Sequence, residues 1–447
     1  MLDTQTPPDR GFLIQMIPSR RDRAYAELLA AELDHLARGA GLEVVGSRLY
    51  SARRVVPGTY LGKGIVEELA REIETCGAEV VVFNNPLSAV QQRNLEVQLH
   101  AKVVDRTGLI LEIFAARART REGCLQVELA SLLYQQSRLV RSWTHLERQR
   151  GGFGMRGGPG ETQIEVDRRL LRDRVHVLKK QLEQVERTRT LQRQSRREVP
   201  LFTVALVGYT NAGKSTLFNR LSGAVAGINT PQNRTIMAVE AADRLFATLD
   251  PTLRQVMLPG GGRIILGDTV GFIRDLPHQL VAAFRATLEE VLEADLLLHI
   301  VDLSDPEWQD QEEAVLGVLR ELLRERGGMA DKPLLTLFNK ADQVATPGLL
   351  ERLRARPAAH VLSALTGEGM TELLATLEQE ANRNNPCYRL ALPMTEGALL
   401  ARLCREGLIL EREEQDEQIR LTVILPVAVA GRLRGEIEPF FVPSVAP

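Results

Sequence analysis

Residues 202–221 constrain the fold of this chain more than any other stretch. Gly208-Tyr209-Thr210-Asn211-Ala212-Gly213-Lys214-Ser215-Thr216 fits the pattern G-x-x-x-x-G-K-[ST]. Ahead of it, Phe202, Val204, Ala205, Leu206 and Val207 make an apolar run of strand length; behind it, Leu217, Phe218 and Leu221 open a helix. A glycine-rich turn between a buried strand and a helix aims backbone N–H groups at phosphate oxygens, and the helix N-terminus adds a favourable dipole. In such a turn Lys214 reaches the β- and γ-phosphates, and the Ser215 hydroxyl is placed to ligate Mg²⁺.

The base is read elsewhere. Asn339-Lys340-Ala341-Asp342 follows a strand-like run at residues 333–338 and fits N-K-x-D. An aspartate there accepts two hydrogen bonds from the ring N–H and the exocyclic amine of guanine. Adenine has no such donor pair and would leave the carboxylate unpaired, which is a large penalty in a buried site. Between the two motifs, Asp268-Thr269-Val270-Gly271 follows a strand at 263–266. Asp268 is placed for the Mg²⁺ shell, and the Gly271 N–H for the γ-phosphate. Ser363-Ala364-Leu365 follows a short run at 360–362 and closes over the base. Alone, N-K-x-D is a common turn; in this order after a phosphate loop it is specific.

Length and composition bound the rest. A chain of 447 residues with 44% hydrophobic content holds two to four cored domains. It has no run of eighteen apolar residues, so no membrane span is expected, and residues 1–10 lack the apolar core of a signal peptide. Cys76, Cys124, Cys387 and Cys404 are scattered without C-x-x-C spacing and read as reduced thiols of a cytoplasmic protein rather than a metal site. The net charge of −2 is uneven: residues 137–199 hold fourteen Arg and two Lys against eight acids, a local +8 that leaves −10 elsewhere. Such asymmetry fits a polyanion partner, and equally a solvated helix face laced with Arg–Glu pairs.

Periodicity supplies the organisation. Strands are expected at 12–17, 42–47, 80–83 and 103–105, alternating with helices at 24–37, 63–75 and 88–98, which implies a mostly parallel sheet. Residues 108–149 read as one long helix and 164–197 as a second, with the glycine-rich stretch 151–160 as the tip between them. After Pro386 come a helix at 396–405, strands at 408–412 and 418–425, and a last helix at 427–434. The expected fold class is α/β: a P-loop domain, an N-terminal α/β subdomain with a long helical hairpin, and a small C-terminal α+β domain. The expected boundaries are 1–116, 117–199, 200–385 and 386–447.

At this point the chain resembles the HflX family of GTPases. The resemblance rests on Tyr60-Leu61-Gly62-Lys63-Gly64, on the run from Asp105-Arg106-Thr107-Gly108 to Phe114, on Gly157-Gly158-Pro159-Gly160-Glu161-Thr162-Gln163, and on the loops at 208–215 and 268–273. It implies hydrolysis of GTP to GDP and phosphate, and GTP-dependent binding to the large ribosomal subunit with splitting of stalled or idle ribosomes. It implies that the hairpin tip, with Arg150, Arg156, Gly157 and Gly158, meets ribosomal RNA near the peptidyl-transferase centre. Arginines and open glycine backbone suit phosphate and irregular single-stranded RNA. By the same resemblance Phe246-Ala247-Thr248-Leu249-Asp250 is the first switch, with Thr248, or alternatively Thr252, closing on Mg²⁺.

Three features depart from a generic GTPase. The connection from Gly223 to Glu240 looks longer than the family pattern and reads either as a surface insertion or as a brake on switch closure. Phe272 follows Asp268-x-x-Gly271 where Ras-like enzymes carry a water-positioning Gln, so turnover of the chain alone is expected to be slow. Asn211 resembles the asparagine of potassium-activated GTPases, which implies K⁺ beside Mg²⁺, although Asn also bonds loop backbone in ordinary turns. The expected catalytic set is Lys214, Thr248, Gly271 and Asn211. Competing readings are an RNA-remodelling, helicase-like or ribosome-assembly factor using GTP or ATP through its N-terminal half, and an RNA scaffold in which GTP is structural.

Overall fold

A computed structural model of the chain describes residues 8–17, 23–51, 55–149, 163–196, 201–223, 246, 252–274, 291–325, 332–344, 346–415 and 418–442. Contacts divide the chain into two compact units. The first takes Met1–Thr188, Ala242–Asp250 and Asp275–Ala286; the second takes Arg189–Ala241, Pro251–Arg274 and Thr287–Pro447.

The first unit alternates β1 (Arg10–Ile17), α1 (Arg23–Gly39), β2 (Glu43–Ser51), α2 (Lys63–Cys76), β3 (Val80–Phe83), α3 (Ala89–Leu99) and β4 (Lys102–Asp105). Its sheet is parallel, in the order β2-β1-β3-β4. Every residue of β3 and all but the first of β1 are buried, as central strands covered on both faces must be. Phe12, Ile14, Leu69, Ile73, Phe83 and Leu95 lie in the core beneath the helices. Ser88 starts α3 with a capping box: its hydroxyl accepts from the Gln91 N–H, and the Gln91 side chain accepts from the Ser88 N–H.

Asp105 ends β4 and caps α4 (Arg106–Arg117) by accepting from the Gly108 N–H at 2.9 Å. The same buried carboxylate accepts from the Leu87 N–H at 3.2 Å and from the Tyr134 hydroxyl at 2.6 Å. It thereby ties the loop after β3 and helix α5 (Arg121–Gln149) to the sheet. Next to it, the buried Arg106 donates to Asn84 Oδ1 at 3.0 Å and to Glu32 at 2.9 Å. A lone buried guanidinium would be costly; these partners offset that cost at its two terminal nitrogens.

The single helix expected at 108–149 is two helices. Ala118 is extended (φ −62°, ψ 113°), and the Thr120 hydroxyl accepts from the Gly123 N–H at 3.0 Å to begin α5. Apolar periodicity runs across this break because both helices bury leucines, whereas the cap that restarts the helix is a local hydrogen bond. Helix α6 (Gln163–Arg196) packs on α5 through Leu129, Val175 and Leu178, with Leu125 and Leu182 at the margin. The glycine-rich tip at 151–160 lies outside the described residues.

In the second unit a six-stranded sheet has the order β10-β9-β8-β5-β7-β6. These strands are β5 (Phe202–Gly208), β6 (Thr252–Met257), β7 (Arg263–Asp268), β8 (Leu296–Asp302), β9 (Leu334–Asn339) and β10 (Ala359–Val361). All pairings are parallel except β6 with β7. Helices α7 (Lys214–Gly223), α8 (Trp308–Glu325), α9 (Pro347–Arg354) and α10 (Met370–Asn382) connect and flank the strands. Leu206, Phe218, Leu266, Leu298, Leu337 and Leu373 fill one layer of the core. Beyond it come β11 (Cys387–Pro393), α11 (Gly397–Glu406), β12 (Leu408–Gln415), β13 (Gln418–Ile424) and α12 (Val427–Ile437), with an antiparallel sheet in the order β11-β13-β12. Strands β6, β8 and β11 were not expected from the sequence. β6 and β11 are edge strands, whose mixed polar and apolar residues do not stand out as a buried run, whereas β8 is a central strand buried along its whole length.

His299 lies in β8 between Val207 of β5 and Thr336 of β9 and is 1% exposed. Burial, helped by the nearby charges of Lys214 and Arg356, brings its pKa from 6.5 down to about 4. Within that window the unfolded chain takes up a proton that the folded chain refuses, so stability rises with pH and is lost on acidification. Acidification from pH 7 to pH 5 is expected to cost the folded chain about 2 kcal/mol through this one group. Thermal unfolding of the parent and His299→Gln at the two pH values checks this: the variant should show the smaller loss.

Candidate functional site

The phosphate-loop motif sits at the carboxyl end of β5, between β7 and β8. Three of its residues have a positive φ, Gly208 (155°), Asn211 (62°) and Gly213 (93°), the last two in the left-handed region. Asparagine tolerates that region better than most residues. Gly213 is required for space as well, since a Cβ there would stand 2.2 Å from Asn339 Nδ2. Helix α7 then begins at Lys214, so the first N–H groups of the helix open onto the loop.

Lys214 is buried, and its ammonium donates to the carbonyls of Gly208 at 3.1 Å and Tyr209 at 2.6 Å. Burial lowers its pKa from 10.5 to about 8, opposed by the charge of Asp268. Asp268 is fully buried at the end of β7, and its Oδ2 accepts from the Ser215 hydroxyl at 2.8 Å. One carboxylate and one hydroxyl are hard oxygen donors in contact, the kind of pair that Mg²⁺ takes together with phosphate oxygens and water. Among the described residues no cluster of three His, Cys, Asp or Glu forms a self-sufficient metal cage. A cation completed by nucleotide oxygens fits this donor set.

The segment after Asp268 lies along the phosphate loop. Thr269 donates its hydroxyl to the Leu206 carbonyl at 2.6 Å. The Thr210 N–H donates to the Phe272 carbonyl at 2.8 Å, and the Phe272 N–H to the Gly208 carbonyl at 3.1 Å. The Arg274 N–H donates to the Tyr209 hydroxyl at 2.9 Å. Gly271 is thereby held so close that a Cβ would lie 2.9 Å from Lys214 Nζ. Phe272 is 3% exposed and its backbone pairs with Tyr209, so nothing polar stands at this position.

Asn339 joins the phosphate loop to the base loop. Its Nδ2 donates to the Ala212 carbonyl and its Oδ1 accepts from the Ala364 N–H, both at 2.8 Å. Lys340 takes a left-handed backbone (φ 61°), Ala341 donates its N–H to the Leu362 carbonyl, and Asp342 follows exposed in a short 3₁₀ turn. Ser363 and Ala364 are buried, and Leu365 is 70% exposed. Arg220 of α7 holds the Leu365 carbonyl at 2.8 Å. The exposed Asp342 carboxylate and Leu365 side chain are the parts of these loops left open to a ligand.

The switch residues are placed differently. Phe246 belongs to the first unit, where its buried ring meets Phe114 edge-on at 4.6 Å between centroids. That contact covers its apolar ring. Ala247, Thr248, Leu249 and Asp250 lie outside the described residues, as do Arg150, Arg156, Gly157 and Gly158. Thr252 starts β6, in register with Asp268. Sequence reasoning missed Asp302, Ser304 and Arg220, which brace the loops at 339–342 and 363–365. The one local hint was an Asp-Leu-Ser turn at the carboxyl end of a buried strand.

A phosphate loop on a parallel sheet, a serine–aspartate pair for a divalent cation and an N-K-x-D turn define a P-loop GTPase. Family models agree along the chain. Residues 27–115 match the GTP-binding GTPase N-terminal family, 117–196 the GTP-binding GTPase middle region, and 203–340 the 50S ribosome-binding GTPase family. The chain is 58% identical to GTPase HflX of Magnetococcus marinus, over 98% of this chain and 97% of that one. It is 45% identical to GTPase HflX of Escherichia coli, over 90% and 91%. A GTP-binding protein from Sulfolobus solfataricus, solved with GDP, is similar at 24% identity over 84% of this chain and 99% of that one, with a TM-score of 0.44. The chain belongs to the HflX family of GTPases and is a GTP hydrolase. Among the described residues no helix is long and apolar enough to cross a membrane.

Phosphate favours the charged form of Lys214, so nucleotide raises the pKa that burial lowers. Proton uptake by Lys214 on GDP binding is therefore expected near pH 8 and above, and to fade below pH 7, where the lysine is already charged. Titration calorimetry in buffers of different ionisation enthalpy reads this directly, and Lys214→Met should abolish the uptake.

Proposed function

We propose that this GTPase binds the large ribosomal subunit in its GTP form and separates stalled or idle ribosomes into subunits, working in the cytoplasm. The observation that carries the reading is the match of residues 203–340 to a family described as 50S ribosome-binding GTPases. Relatives named GTPase HflX along nearly the whole chain and the +8 charge of residues 137–199 support it. Arg150, Arg156, Gly157 and Gly158 at the hairpin tip are the RNA contacts in this reading.

In hydrolysis, water attacks the γ-phosphorus, the bond to the β-phosphate oxygen breaks, and GDP leaves. Lys214 exchanges the Gly208 and Tyr209 carbonyls for phosphate oxygens, which restores its full charge where negative charge accumulates. The N–H groups at the start of α7 and that of Gly271 stabilise the same oxygens. Ser215, Asp268 and Thr248 would hold Mg²⁺, which would supply positive charge against the phosphates. Asp342 receives the guanine donors, and Leu365 borders the base. With Phe272 buried, the chain has no Gln there to orient the water, so the ribosomal subunit completes the site.

Sedimentation of ribosomes with the protein and GTP, GDP or a non-hydrolysable analogue tests the reading. The analogue should carry the protein with large subunits and GDP should not; equal sedimentation in all three would overturn it. Shortening residues 157–160 together with Arg156→Ala should weaken this association and spare GTP binding.

Asp342→Asn should lower GTP affinity by ten-fold or more, on the order of 1.4 kcal/mol, and favour xanthosine triphosphate, because the amide then donates where guanine donates. Competition binding measures this. For Asn211, the proposal is a monovalent cation shared with the phosphates. Hydrolysis should then be faster in potassium than in sodium at equal ionic strength, and Asn211→Ala should erase the difference.

A further inference from the structure

Asp302 is the last residue of β8 and takes no part in the chemistry above. It is 8% exposed, and both of its oxygens are engaged. Oδ2 lies 2.6 Å from Lys340 Nζ. Oδ1 accepts from the Ser304 N–H at 2.9 Å and from the Ser304 hydroxyl at 2.6 Å. Strand register sets Asp302 beside Asn339, and the Leu303 N–H donates to the Asn339 carbonyl at 3.0 Å. The carboxylate is thus built into the strand ends from which the N-K-x-D turn departs.

Lys340 is fixed at both ends. At the backbone it is left-handed (φ 61°), a conformation unfavourable for a residue with a Cβ that persists only where surroundings enforce it. At the far end the ammonium is held by Asp302, and the side chain is 23% exposed. A free lysine is a mobile, strongly hydrated point charge. With its charge taken up, what remains is a stretched aliphatic stem, and such stems cover apolar faces.

We propose that Asp302 is a positioning residue for guanine recognition. By holding the Lys340 ammonium it sets the lysine stem, rather than the lysine charge, against the flat face of the base. This rests on the reading of residues 339–342 as the guanine site. The base does not move during phosphoryl transfer, so the effect belongs to binding alone: GTP and GDP share it, and it changes KM rather than kcat.

Full-length Asp302→Asn, Lys340→Ala, Lys340→Met and their combinations test the idea through KM and kcat for GTP and Kd for GDP. Asparagine keeps an oxygen for Ser304 and puts an uncharged N–H donor where Oδ2 holds Lys340. Asp302→Asn and Lys340→Ala are each expected to raise KM about ten-fold with kcat nearly unchanged, and their combination to be no worse than either, because the two act as one unit. Lys340→Met keeps a stem without the charge and should stay within about three-fold of the parent, with or without Asp302→Asn. Additive losses in Asp302→Asn/Lys340→Ala would overturn the proposal, since Asp302 would then act through Ser304 alone. Lys340→Met as weak as Lys340→Ala would also overturn it, since the ammonium itself would meet the nucleotide; this comparison decides even if Asp302→Asn does not fold. Retained guanine selectivity in Asp342→Asn would instead remove the base-site reading beneath it.

Discussion

The Asn339 carboxamide is the fastener of the nucleotide site. One planar group gives a donor to the phosphate loop at Ala212 and an acceptor to the base loop at Ala364. Those loops leave different strands, and neither is long enough to find its geometry alone. Both partners are backbone groups in a buried place, where an unmade hydrogen bond is costly, so the bracket has little freedom to loosen. An aspartate or a leucine of similar size would satisfy only one side or neither. Asn339 also explains why Gly213 has no side chain: the bracket occupies that space.

Around this fastener the site is arranged by charge. Lys214 and Asp268 are both buried, and each makes the other tolerable. Lys214 spends its hydrogen bonds on carbonyls of its own loop, and Asp268 is satisfied in part by Ser215. The polar groups that the chemistry needs are therefore already desolvated and already aimed, and what the ligand supplies is the missing negative charge.

Much of this was legible in the sequence, for a physical reason. Phosphate loops and guanine turns demand particular residue types at fixed spacing, because a turn without a Cβ or a carboxylate facing two donors has few chemical solutions. Buried central strands were legible in part: Val80–Phe83 was, since four consecutive apolar residues between turns have little else to form, while Leu296–Asp302 was not. What stayed hidden depends on partners distant in the chain. Asp302 and Lys340 meet only through the register of β8 on β9. The break at Ala118 is set by one hydroxyl cap inside an otherwise continuous apolar pattern. Strand β6 reads as nothing in particular until β7 supplies its hydrogen bonds.

Phe246 has a practical consequence for anyone cutting this protein into pieces. The residue sits in the chain between the motifs of the second unit, yet its ring is covered by Phe114 of the first. A fragment that starts after the helical pair would carry the phenyl ring without the Phe114 ring that covers it. Compactness here follows space rather than sequence, so a cut placed by sequence alone divides a buried pair.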